Sequence, residues 1–329
     1  SRKLTLYRTC NILILLVLLV FVVEPLFEDD TSIVESIEGI ITVVHPLTKY
    51  FIFMINKEQI RELLLQISKI SVDEFRFPSK FIAKDTQFNK TIRVVQCVLP
   101  FFSGIVILTY LLRPILHDQM FIMKTWTINS VAVITIVLAM EYYLFLLIIP
   151  IMAGYDCLYL AFCTGLILHV RRLNYIFENL PNTDCPEQME TNLIRCIKYH
   201  ELLLSTFKCL KSLYSFTFLF HYFCTLLSMC VELYEMLENS EYDIEQLAAV
   251  FAVVSQFAYY TFPVEEITSE FLDTSRSIYM SDWYNGNIAS QKLTLTVMLK
   301  AQDNEHFSGG GIIPATVDTF SSVSYQYFH

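Results

Sequence analysis

The chain has 329 residues, 54% of them hydrophobic and only 17% charged, with a formal charge of −10. Soluble domains run nearer 25% charged, and here the apolar residues are clumped rather than periodic. Positions 11–23 and 94–112 carry no charge at all, which excludes a water-soluble all-α core and points to an all-α membrane protein.

In chain order, the apolar runs predict spans at Thr9–Phe27, 32–54, 94–112, a long one from near Val131, 210–234, 244–262 and a last one at 307–329. Runs of about 20 apolar residues match the ~30 Å hydrocarbon layer. Arg2, Lys3 and Arg8 precede the first run, but acids follow it and no small-residue cleavage site is evident, so it is not read as a signal peptide. The fourth run, 131–170, would be about 60 Å of helix, twice a bilayer. It is either two spans broken at Pro150 and Gly154 or one helix that continues out of the membrane.

Loop charge decides between the two under the positive-inside rule. Lys plus Arg number eight in 57–93, two in 113–130, five in 171–208 and three in 265–306, and there are none in 24–31 or 231–243. Rich and poor alternate throughout only if the fourth run is one span. The expected fold is therefore seven transmembrane helices, N-terminus cytoplasmic, C-terminus extracellular, with helical cytoplasmic extensions. That orientation is opposite to a G-protein-coupled receptor. An Asp-Arg-Tyr after the third span and an Asn-Pro-x-x-Tyr in the seventh are both missing.

Ile60, Leu63, Leu64, Ile67 and Ile70 recur at helical spacing, giving an amphipathic helix after the second span. Leu193, Ile197, Leu204 and Lys208 repeat one face in the fourth loop. Leu293, Leu295, Val297 and Leu299 suit a strand or a helix. Such extensions either lie on the membrane surface or bundle beneath it for assembly.

Enzyme chemistry finds no foothold. There is no Gly-rich phosphate loop, HExxH or Gly-x-Ser-x-Gly. The nine cysteines show no CxxC spacing, which argues against zinc and for small buried hydrophobes. No catalytic residue, metal site, cofactor or nucleic-acid partner is expected. Ionisable residues inside spans are functional candidates because each costs roughly 2.5–3.5 kcal/mol at the bilayer centre. Glu35, Glu38, Glu141, Asp156 and Lys49 qualify, and Lys49 is near enough to the inner end to snorkel. Nine acids crowd the two outer loops free of Lys and Arg, with Glu245 a tenth just inside the sixth span. They either concentrate cations at an outer mouth or keep those loops wet.

His45, before Pro46, is a ligand contact or a packing group. Thr109, Tyr110, Tyr142, Tyr143, Leu146, Val250, Phe251 and Val254 are in the outer halves of their spans. A cavity among them would be apolar with a few hydroxyls and would suit small volatile or lipophilic ligands.

Several stretches in order carry a resemblance. Tyr155, Asp156, Leu158, His169 and Leu173 mark the fourth helix, and YTFPVEEIT occupies 260–268. IYMSDWY then follows at 278–284, MLKAQ at 298–302 and FSGGGIIPATVDTF at 307–320. Their joint order, across nearly the whole chain, resembles the insect odorant receptor family. The resemblance implies a single seven-helix unit over 1–329, with cytoplasmic anchor portions at approximately 157–209 and 265–306 and a pore helix at 307–329. It implies a volatile ligand between the second, third, fourth and sixth helices, which adds Thr48 to the candidates above. Phe320 and Val323 would form the pore constriction. Asp156, Glu266, Thr268, Trp283 and Tyr284 would be structural in the anchor.

The implied partners are membrane lipid and the odorant-receptor coreceptor, in a tetramer gating a nonselective cation channel. The implied location is the plasma membrane of olfactory sensory dendrites. Relative to the family the chain is expected to be shortened at both ends, with 312–329 giving only about 27 Å of helix. A gustatory receptor of the same superfamily is the alternative, but its Thr-Tyr-x-x-x-x-Gln-Phe pattern is not matched by Tyr325, Gln326, Tyr327 and Phe328.

Overall fold

In the computed structural model the residues described are 2–27, 33–69, 77–116, 121–123, 125, 130–179, 186–238, 244–302 and 306–328. Nine helices account for nearly all of them. In order they are α1 (Arg2–Val23), α2 (Ile33–Ile55), α3 (Lys57–Lys69), α4 (Ser79–Leu116), α5 (Val131–Glu178), α6 (Pro186–Glu238), α7 (Ile244–Met280), α8 (Ile288–Gln302) and α9 (Val317–Phe328). A two-stranded antiparallel hairpin precedes α9, β1 (Ser308–Gly309) with β2 (Ile313–Pro314).

The fold is the expected seven-span one, with α1, α2, α4, α5, α6, α7 and α9 in the order of the predicted spans. By length and composition, four helical stretches among the described residues are long and apolar enough to cross a membrane: Thr9–Phe27, Ser36–Ile55, Val131–Glu178 and Glu190–Val231. Only 28%, 33%, 29% and 44% of their most apolar windows are buried within the protein. A soluble bundle would cover such surface, whereas here lipid is the solvent for it.

The fourth run is one unbroken helix of 48 residues with Pro150 inside it. Pro removes a single ladder bond, and in a helix packed among others the loss is absorbed locally. At 1.5 Å per residue α4, α5, α6 and α7 run about 55–80 Å, so each overhangs a ~30 Å hydrocarbon layer by some 25–50 Å. The overhangs, with α3 and α8, form one helical body below the membrane. Its core is continuous with the inner half of the bundle and is built from residues such as Leu63, Leu166, Leu173, Phe177, Leu203, Phe271 and Val297. A second buried cluster joins α1, α2 and the outer part of α5.

α2 and α3 are separated by Asn56 alone, and Ile60 donates its N–H to the Asn56 carbonyl at 2.9 Å. Ile60 and Leu63 face the core as the spacing predicted, Ile67 packs against it, and Leu64 is exposed. Ile70 lies outside the described residues. The ambiguous leucine alternation at 293–299 is helical, within α8.

The predicted final helix needs correction at its start. Phe307 is buried beside Phe218, the hairpin follows it, and helix begins only at Val317. Gly310 and Gly311 adopt φ of 59° and 74°, a region closed to a continuing right-handed helix. The Gly310 N–H bonds to the Ser215 carbonyl and hydroxyl at 3.2 and 2.9 Å, and Ser215 Oγ donates to the Ser308 carbonyl at 2.8 Å. Thr316 then caps α9, its Oγ1 accepting from the Thr319 N–H at 3.2 Å.

Candidate functional site

The outer-half candidates face different ways. His45 stacks on His221 of α6, ring centres 5.1 Å apart, with His221 Nδ1 at 3.2 Å from His45 Nε2. Thr48 donates back to the Val44 carbonyl of its own helix at 2.8 Å. The Tyr143 hydroxyl donates to Asn11 of α1 at 2.7 Å. Phe251 meets Phe102 of α4 edge-on at 6.4 Å. Val250 is buried, Val254 packs against the inner core, and Tyr142 and Leu146 are exposed. Thr109 and Tyr110 are on α4, but their side chains lie outside those described. Neighbours such as Tyr142 and Tyr143 are about 100° apart around a helix and cannot share one face. The structure therefore scatters the described members of this set over several interhelical seams.

What the bundle does assemble is a buried polar seam where α2, α5, α6 and α7 meet. Lys49, 1% exposed, places its Nζ 2.7 and 3.0 Å from the two carboxylate oxygens of Asp156. The Tyr260 hydroxyl donates to the same carboxylate, and Tyr259 donates to the Asp156 carbonyl at 2.8 Å. Tyr159 donates to the Tyr260 carbonyl at 2.6 Å, and Tyr155 shares a 2.7 Å bond with Thr217. The Lys49 ammonium sits 5.2 Å from the Tyr260 ring centre, and that ring contacts Tyr159 and His221, each at 4.8 Å. His45 joins this seam through His221. Tyr214 is packed in the same stack with its hydroxyl buried and unbonded.

Asp156 thus holds helices together, and Lys49 does not snorkel as the sequence suggested. A buried ammonium and carboxylate are tolerable only as a hydrogen-bonded pair. The partner is 107 positions away in sequence, which no local pattern reveals.

Below the membrane a second set of contacts braces α5 against α7 and α4. Arg171 bridges Glu266 and Glu270, and its guanidinium lies 4.4 Å from the Phe88 ring centre. Arg172 reaches Asp85 at 3.2 Å. Asn174 donates to the Glu270 carbonyl at 2.9 Å and accepts from Thr274 at 2.7 Å. Burial pushes the Glu270 and Asp85 carboxyls above their ordinary range, and the arginines beside them offset this only in part.

Glu266 therefore sits in this brace. Thr268 is buried and bonds only back to the Val264 carbonyl, at 3.0 Å. Trp283 closes a small cleft with Phe177, Leu193, Ile278 and Thr294, and Tyr284 stands exposed, its hydroxyl donating to Asp282 at 3.1 Å. Phe320 of α9 packs on Phe257 and Phe262 of α7, ring centres 5.6 and 5.4 Å away. The Val323 side chain lies outside those described. No group of three or more potential metal ligands occurs among the described residues.

Fold and seam together define a class: a seven-span helical membrane protein whose long helices continue into a cytoplasmic bundle. The 7tm odorant receptor profile matches residues 31–325, and the chain belongs to that family. Odorant receptor 82a of Drosophila melanogaster is 25% identical over 173 residues, which are 51% of this chain and 44% of that protein. Odorant receptor 10 of Aedes albopictus is 23% identical over 144 residues, 42% of this chain and 38% of that one. The chain thus spans less than half the length of either relative. The insect olfactory receptor OR5 from Machilis hrabei, solved in complex with eugenol, shares the fold with a TM-score of 0.86. It does so at 14% identity, covering 100% of this chain and 88% of that one.

Proposed function

We propose that this chain is a subunit of an odorant-gated, nonselective cation channel that works with the odorant-receptor coreceptor. A small volatile or lipophilic ligand binds in the outer half of the bundle and favours the open packing, shifting a two-state equilibrium. The observation that carries this reading is one contiguous route. The Lys49–Asp156–Tyr260 seam ties α2 and α5 to α7, and α7 meets α9 through Phe257, Phe262 and Phe320. A change of packing among the outer helices reaches α9 through α7.

In this reading α9 lines the ion path, with exposed Asp318, Ser321 and Ser322 on the side not held by α7. Phe320 acts from behind as the coupling to α7, and Val323 forms the constriction one turn further on. The cytoplasmic helices, braced by Arg171, Glu266 and Glu270, hold a tetramer. Supporting the orientation, Lys and Arg concentrate in the stretches assigned to the cytoplasm. The receptor would then reside in the plasma membrane of olfactory dendrites with its N-terminus inside.

Whole-cell recording in cells expressing this chain with and without the coreceptor tests the reading. The expected result is a ligand-evoked inward cation current that requires both chains, with eugenol as the first probe of a volatile panel. Surface-delivered pairs that stay silent to the whole panel would overturn it.

A further inference from the structure

Three of the described residues between α4 and α5 are not at the surface. Phe121, Ile122 and Met123 are buried, Ile122 at 1% exposure, within the cluster formed by α1, α2 and α5. Loops normally run over the surface because buried backbone must be hydrogen-bonded. Here the Ile122 N–H donates to Glu141 Oε2 at 3.0 Å. Glu141 is ten residues into α5, so Ile122 meets that helix about 15 Å from its start. Three apolar side chains thereby fill a compartment walled by Leu15 and Leu18 of α1, Val43 of α2, and Val137, Leu144 and Phe145 of α5.

The anchoring of this plug is incomplete. Glu141 is fully buried, and its second oxygen, Oε1, has no hydrogen-bond partner. Thr125, two residues beyond the plug, is 4% exposed and its hydroxyl is likewise unbonded. A buried carboxyl in an apolar cluster is costly, and one whose second oxygen accepts nothing retains capacity for another donor.

We infer that residues 121–123 occupy a second ligand compartment, between α1, α2 and α5. A small alcohol or phenol takes their place there, its hydroxyl donating to Glu141. The walls select an apolar body of the size of the side chains displaced, and the carboxyl selects the donor. A neutral hydroxyl enters such walls at far lower desolvation cost than an ammonium. The compartment is on the α1 side of α5, with Ile107 and Leu111 of α4 at its margin, and apart from the candidates on α7. Only what the ligand does once bound, not where it binds, rests on the receptor reading above.

The test is thiol exposure of the plug. Ile122→Cys is made in the full chain with Cys10, Cys97 and Cys230, exposed among the described residues, and also Cys185 replaced by Ser. The protein is placed in lipid nanodiscs and treated with a charged maleimide. Met123→Cys serves as an independent reporter if the first variant does not fold. Labelling is expected to be slow alone and several-fold faster with eugenol, with little effect from eugenol methyl ether, which lacks the donor. Glu141→Leu is expected to raise the unliganded rate and abolish the difference between the two compounds, while Glu141→Gln retains part of it.

A rate unmoved by eugenol overturns the inference, and so does equal acceleration by the ether. Currents recorded in parallel separate the two proposals. Current without plug exposure leaves the channel and removes this compartment. Plug exposure without current does the reverse.

Discussion

Lys49 and Asp156 form a buried pair whose members cannot be exchanged singly. Removing either leaves an uncompensated charge in the bundle, so Lys49→Met or Asp156→Leu should each cost about 3–5 kcal/mol. Because the penalty belongs to the orphaned partner, the double variant should be more stable than either single one. Thermal unfolding in detergent, followed by size exclusion, checks this. A double variant as unstable as the sum of the singles would show that the two charges act independently.

Glu270 contributes a pH dependence. Burial holds its carboxyl above the ordinary glutamate range even with Arg171 beside it. A raised pKa means that the folded state binds the proton more tightly than the unfolded state. Its contribution is fully present below the ordinary glutamate range and is lost as pH rises through the raised value. Lowering the pH from about 7 to 5 should therefore raise the Tm of the parent protein relative to Glu270→Gln. Measuring both proteins across that window gives the difference, and an opposite sign would mean that the arginine pairing outweighs burial.

At the scale of elements, the final hairpin and α9 are most exposed to change. A Cβ at Gly309 would come within 2.7 Å of the Phe218 ring and 2.9 Å of the Leu219 nitrogen. The backbone atom cannot move aside as a side-chain tip could. Gly309→Ala should cost about 1–3 kcal/mol by overpacking, read as lost surface expression or a lowered Tm. Phe320→Ala removes the aromatic contact to Phe257 and Phe262. It should reduce the maximal ligand-evoked current while leaving surface delivery near normal, whereas unchanged current would show that α9 is driven by other contacts.

These elements also mark where sequence reasoning stops. The continuity of α5 across Pro150 was legible because loop charge forbids a second crossing. The start of α9 was not, since Ser308 and Gly310 are held by bonds to Ser215 on α6, far away in sequence. The α3 face was legible from spacing at Ile60 and Leu63. The direction of each outer-half aromatic was not, because helices greasy on every side carry no period.

For the whole molecule, the strongest expectation concerns sidedness. Asn89 opens the only Asn-x-Ser/Thr sequon and sits in α4, ahead of that helix's apolar run. With a cytoplasmic N-terminus it should carry no glycan, and an epitope after His329 should be reached by antibody on intact cells. A glycosylated Asn89, or a tag detected only after permeabilisation, would reverse the topology. Seven spans were readable from hydropathy and charge alone. The size of the cytoplasmic body was less so, because whether extensions lie flat or stand together depends on contacts such as Arg171 with Glu266, which are tertiary.

The join at Asn56 gears two motions together. With one non-helical residue between them, α2 and α3 have almost no slack, so a twist of α2 in the membrane turns Ile60 and Leu63 against α5 and α6 below it. Each added residue in a helix swings the following side chains by about 100°. A single insertion at this joint would therefore turn the buried face of α3 toward water, and a run of glycines there would uncouple the outer bundle from its footing.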